Sequence, residues 1–69
     1  YGLTASLYSQ NLSRANRVAR AIRAGTVSVN CFSEGDATTP FGGYKQSGFF
    51  GRDKSIFAHY QYCELKTVW

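Results

Sequence analysis

The 69-residue sequence has few of the residues from which metal sites and disulfide frameworks are built. Its two cysteines, Cys31 and Cys63, and its single histidine, His59, do not have metal-ligand spacing. At most one disulfide is possible, and we interpret both cysteines as reduced thiols of an intracellular protein. We therefore expect no bound metal and no disulfide-stapled fold.

Long apolar runs are also missing. No stretch of the sequence approaches the ~20 apolar residues that a membrane-spanning helix needs. No basic and apolar leader is present, so nothing in the chain supports secretion. We expect a cytoplasmic location and no membrane partner.

Acidic residues are scarce, with four against eight basic ones and a net charge of +4. The excess comes from four arginines spaced by three residues, namely Arg14, Arg17, Arg20 and Arg23. Such a stripe on a helix would suit the phosphates of a nucleic acid. The opposite face is apolar, however, and arginine stems on the solvated face of an enzyme helix make the same pattern. We favour the second interpretation and expect no nucleic-acid partner.

Aromatic side chains, by contrast, are plentiful: 16% of the residues are aromatic and 43% are hydrophobic. A chain of this length buries only about 60% of the surface that it exposes when unfolded. The excess of apolar surface indicates a partner or the remainder of a larger domain. Tyr1 and Trp69 both sit in apolar stretches, so we expect a piece of a longer protein.

Strand, helix and strand follow one another in the first thirty residues. Gly2 to Ser9 alternates apolar and polar residues, as a strand does. Asn11 can cap a helix whose apolar face repeats at three and four residues: Leu12, Ala15, Val18, Ala19 and Ile22. Gly25 is predicted to end this helix in the left-handed conformation. Thr26 to Asn30 is a short β-branched strand, so the pattern predicts an α/β fold with a parallel pair.

The second half of the chain is dominated by glycine. Residues 31 to 51 hold most of the glycines and the single proline, and so long a loop is usually functional. The glycines do not fit the dinucleotide fingerprint, so no cofactor contact is expected. Arg52 to His59 is predicted to be a short helix with Asp53 near its positive end. Glu64 to Trp69 alternates again and predicts a final strand.

Four blocks carry a resemblance that covers essentially the whole chain. They are Ala24-Gly25-Thr26-Val27-Ser28-Val29-Asn30-Cys31, Pro40-Phe41-Gly42-Gly43-Tyr44-Lys45-Gln46-Ser47-Gly48, Gly51-Arg52-Asp53 and Glu64-Leu65-Lys66-Thr67-Val68. In their order, and in a spacing close to that of the family, they resemble the C-terminal segment of the aldehyde dehydrogenase superfamily. Within it, the chain is most similar to bacterial enzymes that oxidise amino- or γ-glutamylamino-aldehydes.

The resemblance implies a parent that oxidises an aldehyde with NAD or NADP. In that family a cysteine thiolate attacks the aldehyde, hydride passes to the nicotinamide, and a glutamate-activated water hydrolyses the thioester. The parent would be a dimer or tetramer. Residues 1–61 would be the last part of the catalytic domain (β-α-β, glycine-rich loop and short helix), and residues 62–69 a strand of the oligomerisation arm. The isolated segment would hold no catalytic residue, bind no cofactor and be inactive.

Three residues are candidates for the wall of the substrate tunnel. By resemblance Phe41, framed by Pro40 and two glycines, lines the tunnel and excludes water from a reactive intermediate. Cys31 matches a position beside the tunnel rather than the nucleophile, and is better interpreted as a small buried hydrophobe. Asn30 is expected to hold the active-site loop, with a plain turn-former as the alternative.

Charged residues supply two further hypotheses. Glu34 and Asp36, in the loop from Phe32 to Thr39, would attract a cationic aminoaldehyde, or else form a solvated acidic turn. Arg52 and Glu64 match a family pair near the subunit interface, with two weakly interacting surface charges as the alternative.

The sequence departs from the family pattern in two places. Phe49 and Phe50 stand where one residue is usual, so the loop must bulge or shift. Ser28 replaces a common tryptophan, so the neighbouring packing must differ. One alternative function remains, a non-catalytic stand-alone module that binds through the basic helix or adds its C-terminal strand to another sheet.

Overall fold

The chain is built around two parallel strands joined by a helix. A computed structural model describes residues 1–32 and 35–69. Strand β1 spans Thr4–Leu7, helix α1 spans Leu12–Ala21, and strand β2 spans Thr26–Val29. The strands pair in parallel, with the first residue of β1 opposite the first residue of β2. The prediction of a β-α-β unit and an α/β fold is confirmed.

Helix α1 begins where its capping residue predicts. The side chain of Asn11 accepts a hydrogen bond from the Arg14 amide at 2.9 Å, which satisfies one of the free amides of the first turn. Ala15 is buried at 3% exposure on the side of the helix that packs against β2. Leu12, predicted for the same apolar face, is 76% exposed. The helix is therefore covered only along the part that lies over β2.

The end of α1 differs from the prediction. The helix stops at Ala21, and Ile22 is already extended, with φ −69° and ψ 127°. Gly25 does not cap it in the left-handed conformation, because no glycine in the described part of the chain has a φ in the left-handed region. Glycine is needed at position 25 because the backbone there lies close to Gly42, and a Cβ would overlap the Gly42 carbonyl.

Three separate segments meet at a set of four glycines, Gly2, Gly25, Gly42 and Gly43, here called the glycine junction. The Gly2 carbonyl accepts from the Gly25 amide at 3.0 Å and from the Tyr44 amide at 2.9 Å. A Cβ on Gly43 would overlap the Ser47 side chain and lie 3.1 Å from the Leu3 Cα. Because these glycines have no side chains, the three segments come close enough for the Gly2 carbonyl to accept from two amides.

The region after the junction has less helix than predicted. Lys45–Ser47 forms a 3-10 turn, and helix α2 spans Phe57–Tyr60. The helix predicted from Arg52 begins later because Lys54 and Ser55 have φ values of 59° and 55°, outside the right-handed helical region. Asp53 therefore does not sit at a helix N-terminus; it pairs with Phe41 in an antiparallel bridge.

The strand predicted over Glu64–Trp69 is not formed in this chain. Residues 63–69 have no regular secondary structure and are all exposed. A strand needs a neighbour to accept and donate its backbone hydrogen bonds, and none of the described segments runs beside these residues. The arm-strand role of residues 62–69 stays a prediction.

Most of the apolar surface is uncovered. The Cα radius of gyration is 15.1 Å, against ~11 Å for a compact domain of this length. Ala15 is the one buried hydrophobic residue in the described ranges, and large side chains such as Tyr62, Leu65 and Trp69 are exposed. This arrangement agrees with the composition, which predicts that another part of a larger domain or a partner covers the segment.

Replacing Gly25 with alanine is expected to destabilise the protein. The added methyl group would collide with backbone atoms of Gly42, which cannot rotate away. Forcing the two backbones apart should cost ~1–3 kcal/mol and lower the midpoint of thermal unfolding.

Gly35→Ala is the matched control, because a Cβ at Gly35 would lie 3.6 Å from the Thr39 Oγ1, an ordinary contact. Equal unfolding midpoints for the two variants would contradict the close approach.

Candidate substrate groove

A groove with a volume of about 540 Å³ lies along the strand pair. Residues 4–6 of β1 and 26–28 of β2 line it together with residues of the following loop, among them Phe32, Pro40 and Phe41. Lys54 is the one charged side chain among the described residues that line this groove. The lining is thus a mixture of aromatic, aliphatic and hydroxyl groups, which suits a largely apolar organic ligand.

Phe41 is held at the groove by its backbone. Its amide donates to the Asp53 carbonyl at 2.7 Å, and the Asp53 amide donates to the Phe41 carbonyl at 2.7 Å. The Lys54 Nζ lies 5.8 Å from the centroid of the Phe41 ring. The side chain remains 38% exposed. A two-way hydrogen-bonded bridge therefore fixes the backbone that carries the ring, and the ring lines the groove while remaining partly exposed.

Asn30 extends the strand pairing with its side chain. Its backbone amide donates to the Leu7 carbonyl at 2.8 Å, the last step of the ladder. Its side-chain oxygen then accepts from the Ser9 amide at 2.9 Å, and its side-chain nitrogen donates to the Ser9 carbonyl at 3.0 Å. The residue adopts φ 56°, a conformation that asparagine tolerates better than most residues. Asn30 thus acts as an extra peptide group that joins the ends of β1 and β2.

The groove includes one of the three predicted tunnel residues. Phe41 lines it, whereas Asn30 and Cys31 follow β2 and lie outside the lining. Cys31 is a free, half-buried thiol. The sequence predicts all three beside a substrate tunnel, with Asn30 holding the active-site loop; in the structure Asn30 joins the ends of the two strands that line the groove. Their assignment to a tunnel stays a prediction.

The two acidic candidates have different outcomes. Glu34 lies outside the described residues. The Asp36 carboxylate accepts from the Thr38 hydroxyl at 2.5 Å and from the Thr38 amide at 2.7 Å. These bonds, the hydroxyl first, hold the pKa of Asp36 below its ordinary value of 3.8, and the charge of Lys54 contributes less. Because the folded pKa is lowered, this stabilisation of the turn is present above pH 3.8 and is lost as the pH falls further. The Asp36 carboxylate therefore stabilises the turn in which it lies, which favours the alternative of a solvated acidic turn at this residue.

Arg52 contacts an aromatic ring that sequence reasoning missed. The guanidinium carbons of Arg23 and Arg52 lie 5.0 Å and 5.5 Å from the centroid of the Tyr44 ring, within the range of cation–π attraction. Arg52 also donates to the Gly51 carbonyl at 2.8 Å. Glu64 is exposed and forms no ion pair with Arg52, although both residues are described. The interface role of this pair stays a prediction.

Both departures from the family pattern have a structural outcome. Phe50 has a positive φ of 41°, the Gly51 amide donates to the Phe49 carbonyl, and both phenylalanine rings are exposed. The additional residue is thus accommodated by a tight turn that points outward, one of the two outcomes expected. Ser28 is buried at 8% exposure and lines the groove. A small side chain at this position leaves room in the groove that a large ring would fill.

Within residues 1–32 and 35–69, no three His, Cys, Asp or Glu side chains cluster closely enough to hold a metal ion. Over the same ranges no helix has the length and apolar character needed to cross a membrane. Cys63 and His59 do lie close, with 3.4 Å between the sulfur and the imidazole Nε2, and both are exposed.

Comparison with known proteins gives a consistent result. Residues 1–68 match the model of the aldehyde dehydrogenase family. The chain is 68% identical over 69 residues to aminoacetaldehyde dehydrogenase of Pseudomonas aeruginosa, covering 100% of this chain and 14% of that protein. It is 55% identical over 69 residues to the NADP/NAD-dependent aldehyde dehydrogenase PuuC of Escherichia coli, again covering 100% of this chain and 14% of that protein.

A solved structure is similar over the whole chain. The NAD+ complex of aldehyde dehydrogenase from Bacillus cereus superimposes with a TM-score of 0.89 at 45% identity, covering 100% of this chain and 14% of that one. The chain therefore spans about one seventh of the length of these proteins.

Replacing Asn30 with aspartate is expected to destabilise the end of the strand pair. The substitution preserves size but replaces the nitrogen that donates to the Ser9 carbonyl with a charged oxygen facing it. A lost hydrogen bond with an unpaired acceptor should cost ~1–3 kcal/mol, seen as a lower thermal midpoint of the full-length protein.

Asn16→Asp, on the exposed side of α1, gives the same chemical change away from the strands. Should both variants unfold at the same temperature, the Asn30 amide does not bridge the strands.

Proposed function

Because the chain belongs to the aldehyde dehydrogenase family, we propose that the protein containing it oxidises an aldehyde to a carboxylic acid with NAD or NADP. The relatives support this proposal, since the two proteins named above are aldehyde dehydrogenases and each matches this chain over its full length. The chain spans 14% of each of them, so the activity is proposed for the whole parent and not for the segment.

The segment's place in the parent is part of the proposal. We place residues 1–61 at the end of the catalytic domain and residues 62–69 in the oligomerisation arm of a cytoplasmic dimer or tetramer. The order of the four sequence blocks and the exposed apolar side chains within residues 62–69 support this placement. A coding sequence that extends upstream of Tyr1 to a catalytic cysteine is expected. A sequence that extends for several hundred residues only downstream of Trp69 would reject the C-terminal position.

The described glycines do not fit a nucleotide site. Gly25 faces the Gly42 backbone, Gly42 faces Arg52, and Gly43 faces Ser47, so their missing side chains serve chain packing rather than the approach of a phosphate. A nicotinamide, which would supply the hydride acceptor when bound, is therefore assigned to the rest of the parent. We assign the nucleophilic cysteine there too.

The contribution of this segment is a wall for the aldehyde. The observation that carries this assignment is the position of Phe41, which lines the groove and is fixed by two 2.7 Å backbone hydrogen bonds to Asp53. A fixed aromatic wall orients an apolar substrate and excludes bulk water from the reacting carbon. Asn30 joins the ends of the two strands that line the groove, and Cys31 is placed beside the tunnel by resemblance alone.

An aminoaldehyde is the substrate class that we propose, on the basis of the similarity to aminoacetaldehyde dehydrogenase. Attraction of its ammonium group by Glu34 and Asp36 is a separate hypothesis. The Asp36 carboxylate is already bound to Thr38, and Lys54 lies in the groove, so the described charges do not by themselves favour a cation. Amides at both positions should lower kcat/KM for charged aldehydes alone if the attraction operates; equal losses for neutral aldehydes would reject it.

Truncation of Phe41 to alanine tests the wall. The loss of the ring should lower kcat/KM for bulky aromatic aldehydes about tenfold, the equivalent of ~1.4 kcal/mol, and leave short aldehydes little changed.

Phe49→Ala removes the same atoms from a ring that is 89% exposed and outside the groove lining. If both variants treat bulky aldehydes alike, Phe41 does not line the substrate path.

Charge reversal at Glu64 tests the interface. If Glu64 meets an arginine in the assembled parent, Glu64→Lys replaces attraction with repulsion, and loss of an interfacial charge pair costs ~2–5 kcal/mol. The mass measured by light scattering should fall at dilutions where the unmodified protein remains assembled.

Lys45→Glu, an exposed charge reversal on the 3-10 turn, is the control. An unchanged mass for Glu64→Lys at every concentration would refute the interface role.

A further inference from the structure

One side chain beyond the groove joins the end of α2 to the residue that holds Phe41. Gln61 follows α2 directly, and its side-chain nitrogen donates to the Arg52 carbonyl at 2.8 Å and to the Asp53 carboxylate at 2.9 Å. Both hydrogens of the amide are therefore used on two consecutive residues of the segment that faces Phe41.

The local backbone is arranged to receive this amide. Gly51 has no side chain, and a Cβ there would overlap the Gln61 side chain. The Gln61 backbone amide donates to the Ala58 carbonyl at 3.2 Å, which anchors the residue to α2. The Ala58 amide in turn donates to the Lys54 carbonyl at 3.1 Å. The Gln61 side chain thus extends from the end of α2 past Gly51, which leaves it room, to Arg52 and Asp53.

The segment that Gln61 binds leads into two residues in an unfavourable backbone conformation. Lys54 and Ser55 have positive φ values of 59° and 55°, a conformation that non-glycine residues adopt at a cost. Asp53, directly before them, provides both backbone hydrogen bonds to Phe41. A segment in an unfavourable conformation needs contacts that hold it there, and the Gln61 amide supplies two of them.

We propose that Gln61 is a positioning residue, which fixes the Phe41 ring in the groove by holding Arg52 and Asp53. It does not touch the groove and acts on the aldehyde only through Phe41. The role rests on the proposed function for its consequence in catalysis. Its structural part, the restraint of the Phe41–Asp53 bridge, stands on the hydrogen bonds alone.

Gln61→Glu in the full-length protein is the test, because glutamate has the same size but has no nitrogen to donate and places a negative charge beside Asp53. We expect KM for a bulky aromatic aldehyde to rise about fivefold to tenfold, the scale of one or two lost hydrogen bonds, with kcat changed by less than about twofold. Gln10→Glu, an exposed substitution next to the start of α1, is the matched control.

A second substitution separates this role from a loss of packing. In the double variant Gln61→Glu with Asp53→Asn, the new amide can donate to the new carboxylate, so the hydrogen bond returns with reversed polarity. Partial recovery of KM is expected. The effects of Gln61→Glu and Phe41→Ala should also be less than additive, since both act on the same ring. Additive effects, or no recovery, would overturn the proposal.

Hydrogen exchange measured on the same proteins does not depend on activity. Faster exchange of the Phe41 and Asp53 amides is expected in Gln61→Glu and in Gln61→Ala, but not in Gln10→Glu. Unchanged exchange at these two amides would overturn the proposal even if the parent oxidises aldehydes. Faster exchange in a protein that oxidises no aldehyde would instead uphold the restraint and reject the proposed function.

Discussion

The close contact between the backbones at Gly25 and Gly42 is the constraint on which the arrangement of this segment depends. A side chain at residue 25 would overlap the Gly42 carbonyl, so the two backbone segments can come this close only with glycine at that position. Their contact lets the Gly2 carbonyl accept from two amides. One belongs to Gly25, just before β2, and the other to Tyr44, just after the glycine pair. The junction thereby sets where the loop leaves the strand pair, and hence where Phe41 stands relative to the groove.

Backbone hydrogen bonds, rather than a hydrophobic core, hold the described part of the chain together. Ala15 is its one buried hydrophobic residue, whereas the groove is defined by the strand ladder, the Asn30 amide and the Phe41–Asp53 bridge. Such bonds contribute about 0.5–1.5 kcal/mol each, and they specify geometry better than they stabilise it. The exposed aromatic and aliphatic side chains are the surface that the remainder of the parent would cover. In the proposed parent, such a segment would supply shape to the site, and the whole domain would supply most of the stability.

Local patterns in the sequence predict the first half of the fold well. Alternation predicts β1, the Asn11 cap and the apolar period predict α1, and β-branching predicts β2, because these signals act within a few residues. Gly25 shows the limit of such reasoning: a glycine after a helix suggests a cap, yet its reason lies in Gly42, which is distant in sequence. The late start of α2 has a similar origin, since the bridge to Phe41 and the left-handed Lys54 and Ser55 outweigh local helix preference.

The candidate site was predicted in part for the same reason. Phe41 could be found because proline and glycine frame it in the sequence, and it does line the groove. Tyr44 has a similar glycine neighbour, but nothing local indicates that Arg23 and Arg52 converge on its ring. No sequence pattern indicates a role for Gln61, because its role depends on hydrogen bonds to Arg52 and Asp53 that only the folded chain forms. The features of the site that the sequence did not predict depend on contacts between separate segments of the chain, which residue types do not reveal.

The central claim is that this segment shapes an aldehyde site whose reacting groups are supplied by the rest of a longer chain. Its most direct test compares nicotinamide reduction by the 69-residue polypeptide and by the full-length protein, at equal concentrations with an aminoaldehyde and NAD or NADP. The account predicts reduced nicotinamide from the full-length protein and none above the uncatalysed rate from the polypeptide. Turnover by the polypeptide, or none by the full-length protein with any aldehyde, would contradict it.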